Sequence, residues 1–194
     1  MADLNALAPS SQNALAPVVS ADQNNPYVDS LLRQATKEYP FITQHNPIID
    51  TGVGPYYAET WPVNEEGAPD AKRPGNFPID RVGVKVYKPN QFTHHDLAGE
   101  ILHVDPFANE TRATLTKSLT PAQIQMLQQE SKDYQGSIDE GQSTERAIQN
   151  ATDAAMRGYV LNQWPAKANE GMNYDPAQKA LLERLRNYMK TGKQ

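Results

Sequence analysis

The sequence predicts a mainly α fold. About five helices form a bundle-like array over the C-terminal half, with one further helix near the N-terminus, a small β element and long proline-rich loops, so that the class is α+β at the margin. Three observations predict it. Helix-start signals recur through the second half, each a capping residue followed by proline or, three positions on, by an acid or amide. Apolar residues follow those starts at helical spacing. Between the first helix and that half, proline stands at positions 40, 47, 55, 62, 69, 74, 78 and 89, with Gly52, Gly54, Gly67 and Gly75 among them, which forbids a long helix there.

Residues 1–24 carry only Asp3 and Asp22 as ionised side chains and contain a repeat, Asn5-Ala6-Leu7-Ala8-Pro9 and Asn13-Ala14-Leu15-Ala16-Pro17. Pro9 and Pro17 disfavour one long helix, and Leu7, Leu15, Val18 and Val19 are too few to make a core. These residues are expected to form an arm, flexible or ordered along a neighbouring subunit, with those four side chains as its partner-binding anchors. A single globular domain is expected over 25–194, with helix, loop and short strands over 25–90 and helices over 91–194.

Asn25-Pro26 starts the first helix, a cap followed by proline, and Tyr27, Val28, Leu31, Leu32 and Ala35 form its stripe until Pro40 stops it. In the proline-rich stretch, residues 81–87 alternate Val82, Val84 and Val86 onto one face, the mark of a strand. Residues 56–61 read as its partner, burying Tyr57 and Trp61 or their neighbours. The loop over 62–78 is long enough to suggest work or binding.

Thr93 caps the next helix, with Asp96 at its third position as an acidic capping box, and Asp105-Pro106 begins another through Phe107, Leu115 and Leu119. Thr120-Pro121-Ala122-Gln123 begins a third, with Ile124, Leu127 and Tyr134 as its stripe. The fourth spans 143–164 with Ile148, Ala151, Ala155 and Tyr159 on one face. Asp175-Pro176-Ala177-Gln178 begins the fifth, which packs through Leu181, Leu182, Leu185 and Tyr188 and stops at Gly192.

Composition excludes several classes. The chain has 194 residues, 38% of them hydrophobic, and its mean hydropathy is −0.70, so part of it is expected to pack on something other than itself. A net charge of −5 with no dense window of Lys and Arg argues against a dedicated nucleic-acid binder. With no cysteine, disulfides, thiolate metal sites and a cysteine nucleophile are excluded. No apolar run reaches the length of a membrane span, and the N-terminus has neither the basic nor the apolar region of a secretory signal. A soluble protein, or one carried by an assembly, is expected.

Residues 92–106 collect three of the four histidines, His94, His95 and His103, together with Asp96, Glu100 and Asp105. Asp96, Glu100 and His103 share one helical face. Glu100-Ile101-Leu102-His103 has the Glu-x-x-His spacing of di-iron bundles, but a second copy is absent, as is the His-Glu-x-x-His of zinc proteases. A mononuclear site from His103, Glu100 and a remote ligand stays open; His95 lies on a different face and could join His103 on one ion only if the helix starts later than Thr93. Against it stands a structural reading: Asp96 is a cap residue, Glu100 supports a helix surface, and His103 near a helix end is favoured by the dipole. Glu59 with Glu100 would be the carboxylate pair of a glycosidase. Gly52-Val53-Gly54 is too short for a phosphate loop, and no Gly-x-Ser-x-Gly elbow occurs. Trp61-Pro62 and Trp164-Pro165 each end an element with a large ring suited to a core or lid, or to stacking on a sugar. No cofactor is implied.

Two blocks carry a resemblance. Gly83-Val84-Lys85-Val86-Tyr87, Asp96-Leu97-Ala98-Gly99-Glu100 and the Asp105-Pro106 step form the first. Arg157-Gly158-Tyr159, Gln163-Trp164-Pro165, Asn169 and Tyr174-Asp175-Pro176-Ala177-Gln178 form the second, the more specific. Together they resemble a family of uncharacterised tailed-bacteriophage virion-associated proteins, over roughly residues 51–189 and without the N-terminal arm. The resemblance implies a virion location, with the host cytoplasm during assembly, and other virion proteins as partners; it assigns no activity. In the family the histidine spacing around the 99–103 segment varies, which argues against a strict metal motif.

The leading expectation is therefore a structural or interaction protein of a phage particle (head, connector, tail or internal), multi-copy or homo-oligomeric, docked by its arm and not an enzyme. The alternative is a virion-carried hydrolase, cell-wall degrading or metal-assisted, using Glu100 and His103 with His95, Asp105 or Glu59 as helpers.

Overall fold

The computed structural model describes residues 25–54, 57–62, 81–135, 144–161 and 172–194. Its first helix, α1 (Pro26–Glu38), begins where the sequence signals it: the Asn25 side chain accepts a hydrogen bond from the Tyr27 amide at 3.1 Å, and Pro26 follows the cap. A 3-10 helix over Pro40–His45 ends at Asn46, whose φ of 39° lies in the left-handed region that asparagine tolerates. Three strands follow, β1 (Ile48–Thr51), β2 (Ala58–Pro62) and β3 (Val82–Val86). Five helices complete the chain: α2 (His94–Val104), α3 (Pro106–Ser118), α4 (Pro121–Gln135), α5 (Thr144–Leu161) and α6 (Pro176–Thr191). The fold is thus mainly helical with a small sheet.

The sheet order is β1-β3-β2. β2 pairs antiparallel with β3 in the register Thr60↔Val84, as the alternation suggests, and β1 pairs parallel with β3 in the register Ile49↔Val84. β1 is an addition to the sequence reading. Its four residues are too short to display an alternation, and parallel pairing joins segments far apart in the chain. As the central strand, β3 buries Val82, Val84 and Val86 completely. In β2 it is Ala58 and Thr60 that are partly buried, while Tyr57 just before the strand is exposed. The Trp61 side chain is not among those described. Residues 1–24, with Leu7, Leu15, Val18 and Val19, the loop over 63–80, and Trp164 lie outside the described residues.

α2 is the element on which the others meet. It contacts α1, α3, α5, β2, β3 and the 3-10 helix. Leu97, Ala98, Ile101 and Leu102 are fully buried beneath these neighbours, and the core is one cluster reaching from Val28 in α1 to Met189 in α6. Burying a leucine or isoleucine side chain contributes about 1.5–3 kcal/mol, and α2 places three such side chains, Leu97, Ile101 and Leu102, in the core. Gly99 also lies on its buried side. A methyl group added there would meet Leu161 Cδ1 at 3.5 Å and Arg157 Nη1 at 3.7 Å, ordinary contact distances. Gly99→Ala is therefore expected to raise stability by about 0.5–1 kcal/mol through helix propensity, read as a higher urea midpoint. A lower midpoint would mean that α5 sits too close for a methyl group.

The two Pro-Ala-Gln helix starts, so similar in sequence, meet in space. Gln123 and Gln178 close the capping boxes of α4 and α6 and are both buried. Their amides also pair reciprocally across 2.8 and 3.1 Å, and Gln178 donates to the Ser118 carbonyl at 3.0 Å. At the far end of α6, Gly192 has φ 67°, closes the helix on the Tyr188 carbonyl and accepts a bond from the Gln44 amide.

Candidate functional site

Residues 92–106 start and end in caps. The Thr93 side chain accepts from the Asp96 amide, while Asp96 Oδ2 accepts from the Thr93 amide at 2.7 Å, a complete capping box. The Tyr57 hydroxyl donates to the Gln91 carbonyl at 2.7 Å and reaches Asp96 at 3.2 Å, which ties the start of β2 to the start of α2. Burial first, then the neighbouring Asp96 charge, pushes the Tyr57 hydroxyl up to about 12, so it remains a donor.

Glu100 and His103 share a helical face but turn to different neighbours. Glu100 Oε2 accepts from Thr60 Oγ1 at 2.6 Å, fastening α2 to the sheet. His103 Nδ1 donates to Asp153 Oδ2 of α5 at 3.2 Å. Glu59, the residue before Thr60, points to the opposite face of β2, as strand pleating requires, and accepts from the Tyr87 hydroxyl at 2.7 Å. Glu59 and Glu100 thus lie on opposite sides of the sheet and do not face one another across a cleft. A polar cleft of about 290 Å³ between α3 and α5 is lined by Asn109, Arg112, Ala113, Thr116, Lys117 and Gln149, and none of the candidate residues lines it. His95 belongs to a third neighbourhood: its Nδ1 is 2.8 Å from the Tyr39 hydroxyl and 3.8 Å from Glu38 Oε1. Because α2 begins directly after Thr93, His95, Glu100 and His103 are not brought to one point.

Two polar centres that the sequence reading did not assemble lie beside this stretch. In the first, Asp105, fully buried, does more than cap α3. Its Oδ1 accepts from the Ala108 amide at 2.7 Å, and its Oδ2 accepts from His45 Nε2 and from the Tyr188 hydroxyl, each at 2.8 Å. One carboxylate therefore links the 3-10 helix, α3 and α6. Burial first, then the charge and hydrogen bond of Asp105, pushes the Tyr188 hydroxyl well above its ordinary value and keeps it a donor. His45 is buried as well, with Nε2 turned to the carboxylate, and its Nδ1 has no hydrogen-bond partner among the described residues.

Asp153 is the second centre. It is 3% exposed and faces three cationic or imidazole groups from three helices. Arg112 Nη1 donates to Oδ1 at 2.6 Å, His103 reaches Oδ2, and Arg157 Nε lies 3.1 Å from Oδ2 without the alignment of a hydrogen bond. Burial by itself raises the Asp153 carboxyl. The His103 hydrogen bond and the charges of Arg157, His103 and Arg112 outweigh it and bring the pKa down to about 2. Only Arg157, four residues along the same helix, could have been paired with it from sequence.

Comparison with protein-family models, curated proteins and solved structures finds no match for this chain. No helix among the described residues is long and apolar enough to cross a membrane.

Proposed function

We propose that this chain is a structural component of a tailed-phage particle, multi-copy, docked on neighbouring virion proteins through residues 1–24. The observation that carries the reading is the use of the polar side chains around α2. Glu100, His103 and Asp105, the groups best suited by type to chemistry, each tie one element to another: Glu100 to β2, His103 to α5, and Asp105 to the 3-10 helix and α6. Groups held in this way serve rigidity, and a hydrolase would need at least one of them directed into a cleft with a second acid opposite.

Three further features support the reading. The two blocks of the sequence resemble tailed-phage virion proteins. The mean hydropathy of −0.70 fits a part stabilised by its neighbours. The nearly uncharged, repeated arm offers Leu7, Leu15, Val18 and Val19 as anchors for a segment that orders on a neighbour. Such a protein is made in the host cytoplasm and ends in the virion. Mass spectrometry of purified particles tests the proposal: the chain is expected among the particle proteins, and its absence would end the structural reading.

A further inference from the structure

The ends of α1 and α2 bring together three side chains that nothing in the fold requires to converge. Glu38 is the last residue of α1, and His94 and His95 are the first two of α2. One donor atom from each lies within 4.8 Å of the other two, and among the described residues this is the one trio of histidine and carboxylate groups that close. Successive helical residues ordinarily diverge by about 100° around the axis. Here the two imidazoles lie side by side, ring centroids 4.0 Å apart and tilted by 33°, and both turn toward the same carboxylate. Neither ring is needed to start the helix, since Thr93 and Asp96 already close the capping box.

We propose that Glu38, His94 and His95 form a binding site for a divalent transition-metal cation, with Zn²⁺ the best match. Two imidazole nitrogens and a carboxylate oxygen suit zinc and its late-row neighbours, whereas calcium and magnesium select oxygen-rich sites. Tetrahedral zinc, with bonds of about 2.0–2.1 Å, holds its ligand atoms about 3.3 Å apart. The observed separations lie on either side of that value, at 2.9 Å for His94 Nε2 to Glu38 Oε2 and 3.8 Å for His95 Nδ1 to Glu38 Oε1. Those distances run to different oxygens of Glu38, so rotation of these partly exposed side chains must bring one oxygen to both imidazoles. The ion takes the place of the proton that His94 Nε2 shares with Glu38, and that proton passes to solvent.

The surroundings favour the same use. The framework is rigid at both ends, because buried Tyr39 closes α1 and the capping box fixes the first turn of α2. The Tyr39 hydroxyl lies 2.8 Å from His95 Nδ1, the nitrogen that faces Glu38, and gives up that contact when the ion binds. All three ligands reach solvent, with side-chain exposures of 49% for Glu38, 20% for His94 and 31% for His95. Three protein ligands leave a fourth position for water or for a side chain of a neighbouring protein. The site would clamp α1 to α2, the helix on which the fold turns.

The test uses the full-length chain purified without chelator and titrated with zinc chloride by calorimetry, with Co²⁺ absorption as a second readout of tetrahedral coordination. One Zn²⁺ per chain is expected. Loss of an outer partner alone lowers metal affinity by 10–100-fold, so Glu38→Gln and His94→Ala should each weaken binding by at least about ten-fold. His103→Ala, on another face, should bind like the parent. Far-UV circular dichroism confirms that each variant is folded. The proposal is overturned if the folded parent takes up no Zn²⁺. It is equally overturned if Glu38→Gln and His94→Ala bind as the parent does, or if His103→Ala loses binding to the same extent.

Discussion

Replacing Asp105 by alanine is expected to lower the unfolding free energy by about 3–5 kcal/mol, the combined cost of a lost helix cap and of two buried donors left without their acceptor. The side chain is fully buried and accepts from three donors on different elements: the Ala108 amide, His45 Nε2 and the Tyr188 hydroxyl. Its removal leaves the first turn of α3 without a cap, worth about 1 kcal/mol. It also leaves a buried imidazole N–H and a buried phenol without acceptors, each carrying a desolvation penalty of about 1–3 kcal/mol. Set against a typical net stability of about 5–15 kcal/mol, this is a large fraction. For a chain of this size it corresponds to a fall in Tm of roughly 6–20 °C. Asp105→Asn keeps an oxygen for the Ala108 amide and loses the charge, so a smaller fall is expected. Urea unfolding of the two variants beside the parent gives the comparison; a change below about 1 kcal/mol for Asp105→Ala would show that these bonds contribute little.

The second large effect belongs to Asp153 and appears as a pH dependence. Its carboxyl sits at about 2 in the folded chain against an ordinary value of 3.8. A depressed folded value means that the unfolded chain binds the proton more tightly. The contribution is therefore complete above about pH 4 and is lost as pH falls toward 2. At about 1.4 kcal/mol per pKa unit, the shift amounts to about 2–3 kcal/mol at neutral pH, and the near-complete burial of Asp153 spares it solvent screening. Asp153→Asn should be less stable than the parent by about that amount at pH 7, because it removes the charge that Arg112, His103 and Arg157 face. The gap should narrow as both are measured toward pH 2. Parallel stability curves for parent and variant between pH 2 and 5 would contradict the assignment.

These two residues also mark how far the sequence could be read. Helix starts were legible because a cap is local chemistry. Asn25-Pro26, Thr93 with Asp96, Asp105-Pro106, Thr120 with Gln123 and Asp175 with Gln178 all act within four residues, and each begins a helix of the structure. The partners of the same side chains were not legible. Asp105 declared itself as a cap, but His45 lies 60 positions before it and Tyr188 83 after it. Asp153 stands in a helix whose sequence signals only Arg157, while His103 and Arg112 come from helices 50 and 41 positions away. β1 escaped for the same reason, since its parallel pairing with β3 is non-local.

The candidate site follows this pattern. Helical periodicity correctly places Glu100 and His103 on one side of α2, but it cannot say that a strand covers one and a helix the other. His95 stood in the sequence beside His94, and the carboxylate that joins them, Glu38, is fixed by the packing of α1 on α2. The stretch over 92–106 is the joint of the fold, and its polar side chains are spent on the connections that make it one.

Quantitative mass spectrometry of purified phage particles bears most directly on the role proposed for this chain. The chain should be present at a constant copy number per particle, and peptides from residues 1–24 should survive brief protease treatment of the particle while being lost from the free protein. Purified particles that contain no copy of the chain would contradict a structural role.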